Sequence, residues 1–175
     1  APAGGEILHD AQGRPAGVFR EAAMDLIFRA RDRALRGRSA KEVRDEQLEA
    51  IRLATKECLS HGVTSFQDAG SSCAEVDLFR ELASQGKLEV RLWIMLNDQN
   101  SVLAKRLKDY RLLGYGNNHL TVRAVKRMAD GALGTHGAWL LEPYDDLAGS
   151  TGLNVTPVAS IRETAELAIE HDYQL

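Results

Sequence analysis

Three short strand-like runs alternate with helical segments along this chain, and this alternation restricts the possible folds more than any other feature. The runs occupy residues 63–68, 90–96 and 122–129. Three capping boxes, each a serine followed three residues later by a glutamate, mark helix starts: Ser39/Glu42, Ser72/Glu75 and Ser160/Glu163. Strands that alternate with capped helices predict parallel β-α units with right-handed crossovers. We therefore predict an α/β fold, with residues 1–20 as an N-terminal β-hairpin.

Length and charge narrow the class of protein. The 175 residues suit a single domain, 1–175, made of the hairpin insertion at 1–20 and β-α units from 21 to 175. The net charge is −3, and the arginines between Arg20 and Arg44 are interleaved with acids, so no nucleic-acid partner is expected. No apolar run approaches the ~20 residues that cross a bilayer. The two cysteines form no disulfide framework, which favours a cytoplasmic location.

Lys126 is the unusual residue of the third strand-like run. A regular strand over 122–129 would place Val122, Ala124, Lys126 and Met128 on one face. A lysine on such a face must reach solvent, pair with a carboxylate such as Asp130, or lose its charge. A neutral lysine can react with carbon dioxide, and the resulting carbamate is an anionic metal ligand. The residues alone leave these alternatives open.

Three segments carry a family resemblance. The first is Val125-Lys126-Arg127-Met128-Ala129-Asp130-Gly131-Ala132-Leu133-Gly134, followed by Gly-Ala-Trp-Leu-Leu-Glu-Pro-Tyr at 137–144. The others lie at 4–21 and 61–70. Together they resemble the amidohydrolase superfamily, and most closely its amidohydrolase family 3 branch, which includes N-substituted formamide deformylases and proteins described as exoenzyme regulators.

The resemblance implies a TIM-type (β/α) barrel and a metal-dependent hydrolase. In such enzymes the lysine at the position of Lys126 is carboxylated and ligates a divalent metal, most often zinc. Metal-activated water then hydrolyses the C–N bond of a small-molecule amide or formamide.

The chain also lacks features of that family. None of the five histidines forms the His-x-His pair of the first barrel strand, and a complete barrel needs about 250 residues. We therefore expect an internal fragment, covering about strands two to four of the barrel and inactive alone. The alternative is a non-catalytic binding or regulatory protein derived from the same fold. Either form would expose strand edges, so a homodimer is expected.

Three further residues are candidates for the site. Asp130 follows the lysine strand and is predicted to take a catalytic role, with a turn before Gly131 as the alternative. His136 stands where the resembling family has arginine, and it is predicted to bind substrate, a solvated loop histidine being the alternative. Asp68 ends an earlier strand and is also predicted to bind substrate on the side of Lys126, unless it serves as a helix cap or ion-pair partner.

Overall fold

The computed structural model describes residues 1–175 and has a mixed α/β architecture with a mostly parallel sheet. The chain forms two compact units. The first is made of residues 1–38 and 128–161, and the second of residues 39–127 and 162–175. The expectation of a single domain over 1–175 stays a prediction. No helix is both long enough and apolar enough to cross a membrane.

The predicted N-terminal hairpin is present in the first unit. Strand β1 (Gly5–His9) pairs antiparallel with β2 (Pro15–Glu21), and Asp10 closes the turn by accepting the backbone amides of Gln12 and Arg14. Helix α1 (Asp25–Ala34) follows a short 3-10 turn. The rest of this unit is the loop region 128–157, with one 3-10 turn at Leu133–Thr135.

The second unit is built around a four-stranded sheet. Its strands are β3 (Ser65–Ser71), β4 (Arg91–Leu96), β5 (Leu112–Gly114) and β6 (Leu120–Val125), in the order β3-β4-β6-β5. The β3-β4 and β4-β6 pairs are parallel, whereas β5 is antiparallel to β6. Gln174 also pairs in parallel with Ala124. Its helices are α2 (Ala40–Ser60), α3 (Cys73–Ser84), α4 (Asn100–Tyr110) and the larger part of α6 (Val158–Glu170), which enters this unit at residue 162.

The hydrophobic core lies between the sheet and its helices. Ile94, Leu96, Leu103, Leu120 and Val122 have no exposed surface. These side chains come from β4, β6 and α4, so the parallel pair at the centre of the sheet carries most of the burial.

Two of the three predicted capping boxes are present. Ser39 and Ser72 each accept the backbone amide three residues ahead, and Glu42 and Glu75 reach back to the serine amides. The third prediction was wrong. Helix α6 begins at Val158, so Ser160 lies within its first turn, and Glu163 instead accepts a hydrogen bond from Asn100. Pro157 precedes this helix, and its carbonyl accepts the amide of Ser160.

The segment after α4 also differs from expectation. The sequence from Asn100 to Leu113, followed by Gly114, predicts one continuous helix, but α4 ends at Tyr110 and Leu112–Gly114 joins the sheet. A single tight turn, α5 (Tyr115–Asn118), follows with left-handed dihedral angles at Gly116 and Asn117. A Cβ at Gly116 would lie 2.6 Å from the Cβ of Ala83, so glycine allows α5 to approach α3.

A β-bulge in β6 changes which side chains share a face. Ile94 pairs with Val122, but the next residue, Met95, pairs with Ala124, which leaves Arg123 as an extra residue. Val122 and Val125 consequently face the helix-packed core, while Ala124 lies on the opposite face. The expectation that Val122 and Lys126 share one face was therefore wrong, because that expectation assumed an unbroken two-residue period.

Candidate functional site

Lys126 lies immediately after the carboxyl end of β6. Its backbone amide donates to the carbonyl of Leu96 at 2.8 Å, so the extended backbone continues one residue past the strand. Alternation from Val125 places the side chain on the face away from the helices. Lys126 is half-buried, and its side chain forms no hydrogen bond or ion pair. A lysine in this position is available to bind a ligand.

Arg127 follows and is surrounded by acceptors of the second unit. Its guanidinium donates to the carbonyls of Lys126 (2.8 Å) and Asp98 (2.7 Å). It also donates to Asn100 Oδ1 (2.8 Å) and Thr164 Oγ1 (2.9 Å). Burial lowers the pKa of Arg127, while the charges of Asp98 and Glu163 oppose that shift. Sequence reasoning missed this residue, whose only signal was a charge beside an apolar strand end.

Hydrogen bonds extend this network to two helices. Thr164, which is fully buried in α6, donates to Asn100 Oδ1 at 2.7 Å. Asn100, at the start of α4, donates through Nδ2 to Glu163 Oε2 at 2.8 Å. We refer to Arg127, Asn100, Glu163 and Thr164, with the carbonyl of Asp98, as the arginine network.

Cys73 connects the start of α3 to the same end of the sheet. Its backbone amide donates to Asp98 Oδ2 at 2.7 Å. Burial, with the nearby Asp98 carboxylate, raises the pKa of the Cys73 thiol to about 12. This thiol is protonated and unreactive at neutral pH.

Asp68 lies on the other face of the sheet from Lys126. It pairs with Ile94, a core residue, and borders a groove of about 280 Å³ whose lining includes Ile51, Phe66 and Leu92. Its Oδ1 accepts the amide of Gly70 at 3.0 Å, a local hydrogen bond that stabilises the end of β3. The structure thus does not bring Asp68 and Lys126 together on one face, and substrate binding by Asp68 stays a prediction.

Asp130 belongs to the first unit, where it holds a loop. Its Oδ2 accepts the backbone amide of Trp139 at 3.0 Å, and its backbone pairs with Asn154. The neighbouring Gly131 donates its amide to the carbonyl of Gly137. These bonds fit the turn interpretation of Asp130, and its catalytic role stays a prediction.

Glu21 packs against the same loop. A Cβ at Gly131 would lie 2.3 Å from Glu21 Oε1, and one at Gly137 would lie 2.9 Å from it. Both positions therefore require glycine while the carboxylate is in place. Glu21 itself has a φ of 47° and a ψ of −126°, a strained backbone conformation for a residue with a Cβ.

His136 lines a pocket in the first unit. Its Nε2 lies 3.0 Å from Asp146 Oδ2, and its ring meets the ring of Tyr144 edge-on at 4.8 Å. The hydrogen bond from His136 lowers the pKa of the Asp146 carboxyl. Leu133, Leu140 and Pro143 complete an apolar wall around this pocket of about 500 Å³. His136 is thus an oriented residue, and substrate binding by it stays a prediction.

The described residues contain no cluster of three or more histidine, cysteine, aspartate or glutamate side chains that could hold a metal ion. At the carboxyl end of the sheet, the side chain without a hydrogen bond or ion pair is that of Lys126.

Comparisons with known proteins agree on the family. The model of the amidohydrolase family matches residues 1–175. A Bacillus subtilis (strain 168) protein named as an amidohydrolase, YtcJ, is 30% identical over 160 residues, which are 88% of this chain and 28% of that protein. The Arabidopsis thaliana protein LONG AFTER FAR-RED 3 is 27% identical over 167 residues, or 88% of this chain and 27% of that protein.

A solved structure supports the same assignment. The crystal structure of a metal-dependent hydrolase from Pyrococcus horikoshii OT3 is similar with a TM-score of 0.59 and 26% identity, over 73% of this chain and 26% of that one. The chain thus spans little more than a quarter of the length of each relative. Since the family model covers every residue, the chain belongs to the amidohydrolase family.

Proposed function

We propose that this chain is part of a metal-dependent amidohydrolase that hydrolyses the C–N bond of a small-molecule amide or formamide. The observation that carries the proposal is the position of Lys126, which is unpaired, just past a parallel strand, and on the face away from the helices. Family membership and the resemblance to a metal-dependent hydrolase add support.

The fold that we propose for the whole protein is a (β/α) barrel. Here β3, β4 and β6 would be three neighbouring barrel strands, and the pairing of Gln174 with Ala124 would begin a fourth. In such barrels the residues just past the carboxyl ends of strands line the active site. Lys126 and Arg127 occupy that position on β6.

Within this proposal Lys126 acts as a carbamate. Its neutral amine attacks carbon dioxide, a C–N bond forms, and one proton leaves to solvent, so the side chain becomes an anion with two oxygens. The absence of a competing ion pair at the ammonium favours this reaction. A divalent metal, zinc by preference, would supply Lewis acidity to the whole protein, and its remaining ligands would come from residues beyond the 175 described here.

The other candidates keep the roles predicted from the sequence. Asp130 would act as a catalytic carboxylate, and its hydrogen bond from the amide of Trp139 would hold it in place. His136, oriented by Asp146, would bind substrate. Substrate binding by Asp68 has less support, because Asp68 lies on the side of the sheet that faces the helices.

The test uses the native polypeptide that contains this chain. Release of amine or formate is measured with a panel of N-formyl and amide compounds, before and after chelation and zinc addition. Lys126→Ala is expected to lose at least about 100-fold in kcat/KM, which corresponds to about 2.7 kcal/mol of transition-state stabilisation. A short carboxylic acid such as propionate should restore part of the activity, because it replaces the lost carboxylate.

Lys105→Ala is the matched control, since Lys105 is an exposed lysine on α4. It should leave kcat/KM unchanged. Hydrolysis that survives Lys126→Ala would refute the role of Lys126. A native protein that hydrolyses no compound of the panel with any divalent metal would favour the non-catalytic regulatory alternative.

A further inference from the structure

The two peptide groups that flank Lys126 are both held, and by different means. The Lys126 amide donates to the last carbonyl of β4, that of Leu96, at 2.8 Å. The Lys126 carbonyl accepts from Arg127 Nη1, also at 2.8 Å. Fixing both peptide planes fixes the two backbone dihedral angles of Lys126, and hence the direction of its Cβ.

The hydrogen bonds of the sheet alone would fix only one of the two peptide groups that flank Lys126. The ladder between β4 and β6 ends at Leu96 and Val125, so the Lys126 carbonyl lies beyond the paired residues. The Arg127 side chain binds this carbonyl in place of a neighbouring strand. Its own position is determined by three further acceptors, on Asp98, Asn100 and Thr164.

The acceptors belong to separate elements, which makes the arrangement rigid. The Asp98 carbonyl follows β4, Asn100 begins α4, and Thr164 lies in α6. The planar guanidinium presents donors in a fixed fork, so four acceptors in one site define its orientation as well as its position. Asn100 and Thr164 are buried and also bond to each other, so this part of the network is built into the core.

We propose that Arg127 is a positioning residue for Lys126: the arginine network fixes the strand end so that the lysine side chain is held on the face of the sheet away from the helices. This inference rests on the proposed function, because it assumes that Lys126 forms a carbamate. It predicts that removal of the Arg127 guanidinium makes the orientation of the Lys126 side chain less fixed, although the lysine itself is still present.

The experiment follows the carbamate directly rather than activity. The native polypeptide, at its natural length, is equilibrated with 13C-labelled bicarbonate and zinc. The fraction of protein that carries the carbamate is then measured by 13C NMR, with Lys126→Ala as the blank. The variants are Arg127→Met, which removes all donors, and Arg127→Lys, which keeps the charge but not the fork. Urea unfolding of every variant establishes that it is folded.

Arg111→Met is the matched control. Arg111 also binds a carbonyl of the second unit, that of Asp172, and forms an ion pair with the same residue, but it is not part of the arginine network. We expect carbamate occupancy at equal bicarbonate to fall at least tenfold in Arg127→Met and by a smaller factor in Arg127→Lys. Occupancy in Arg111→Met should stay within twofold of the wild type.

The outcomes separate the two proposals. A wild type with carbamate and an Arg127→Met variant with equal carbamate would overturn the positioning role and leave the proposed function intact. Equal losses of carbamate in Arg127→Met and Arg111→Met would also overturn the positioning role, because the loss would then not depend on contact with Lys126. A folded wild type without carbamate would overturn the proposed function and this inference together.

Discussion

Replacing Thr164 by valine would test the arginine network at its most buried member. The Thr164 hydroxyl accepts from Arg127 Nε and donates to Asn100 Oδ1, and the side chain has no exposed surface. A hydrogen bond to a charged group is worth about 1.5–3 kcal/mol and a neutral one about 0.5–1.5 kcal/mol. The added methyl group returns about 0.8 kcal/mol. We therefore expect Thr164→Val to lower the free energy of unfolding by about 2–3 kcal/mol.

The assay is urea unfolding followed by tryptophan fluorescence. The chain has two tryptophans, and Trp93 lies in the second unit. A Trp139→Phe background therefore reports the unit that holds the network. With a urea dependence of about 2 kcal/mol per molar, the midpoint should fall by about 1 M.

The control is Thr55→Val, the same substitution in helix α2, where the half-buried threonine borders an apolar groove. It should change the unfolding free energy by less than about 0.5 kcal/mol. In a double-mutant cycle, Thr164→Val and Arg127→Met should couple by at least about 1 kcal/mol. Additive effects, or equal midpoints for Thr164→Val and Thr55→Val, would refute the energetic role assigned to the network.

Three other predictions follow from burial, charge and exposed edges. Leu103→Ala, at a fully buried position of α4, should cost about 2–5 kcal/mol by urea unfolding, whereas Val102→Ala, at an exposed position of the same helix, should cost less than about 1 kcal/mol. The raised pKa of Cys73 means that the folded state favours the thiol, a preference present below the unfolded pKa near 9 and lost as the pH rises toward 12. At pH 8 a thiol reagent should thus modify half-buried Cys58 in the folded protein and Cys73 only on unfolding, which peptide mass spectrometry can measure, and fast native labelling of Cys73 would contradict its burial. Because β3 is an edge strand and Phe66 on it is 47% exposed, we propose that the chain forms a homodimer, and sedimentation velocity giving only monomer at tens of micromolar would argue against it.

Local signals in the sequence accounted for much of the fold. The capping boxes at Ser39 and Ser72 lie where the chain must change from loop to helix, and the hydrogen bonds that define them involve only nearby residues. The same motif at Ser160 failed because Pro157 favours an earlier helix start and Asn100, 63 residues away in sequence, binds Glu163. A local motif is thus a good predictor only where no distant group competes for its side chain.

The candidate site was less predictable, because its geometry depends on distant partners. Lys126 stood out in the sequence as a charge within an apolar run. Arg127, one residue later, has the stronger set of contacts, yet its acceptors lie at positions 98, 100 and 164. Nothing in the spacing of those residues indicates that they converge on one guanidinium.

The face on which Lys126 lies depends on a single extra residue in β6. Ala124 and Val125 are both apolar, so either can occupy the core, and hydrophobic alternation gives no sign of the bulge at Arg123. Regular pairing would have placed Lys126 on the face of Val122, among the buried side chains between sheet and helices. An unpaired ammonium there would cost several kcal/mol. The bulge removes that cost by placing the lysine on the face of the sheet away from the helix-packed core.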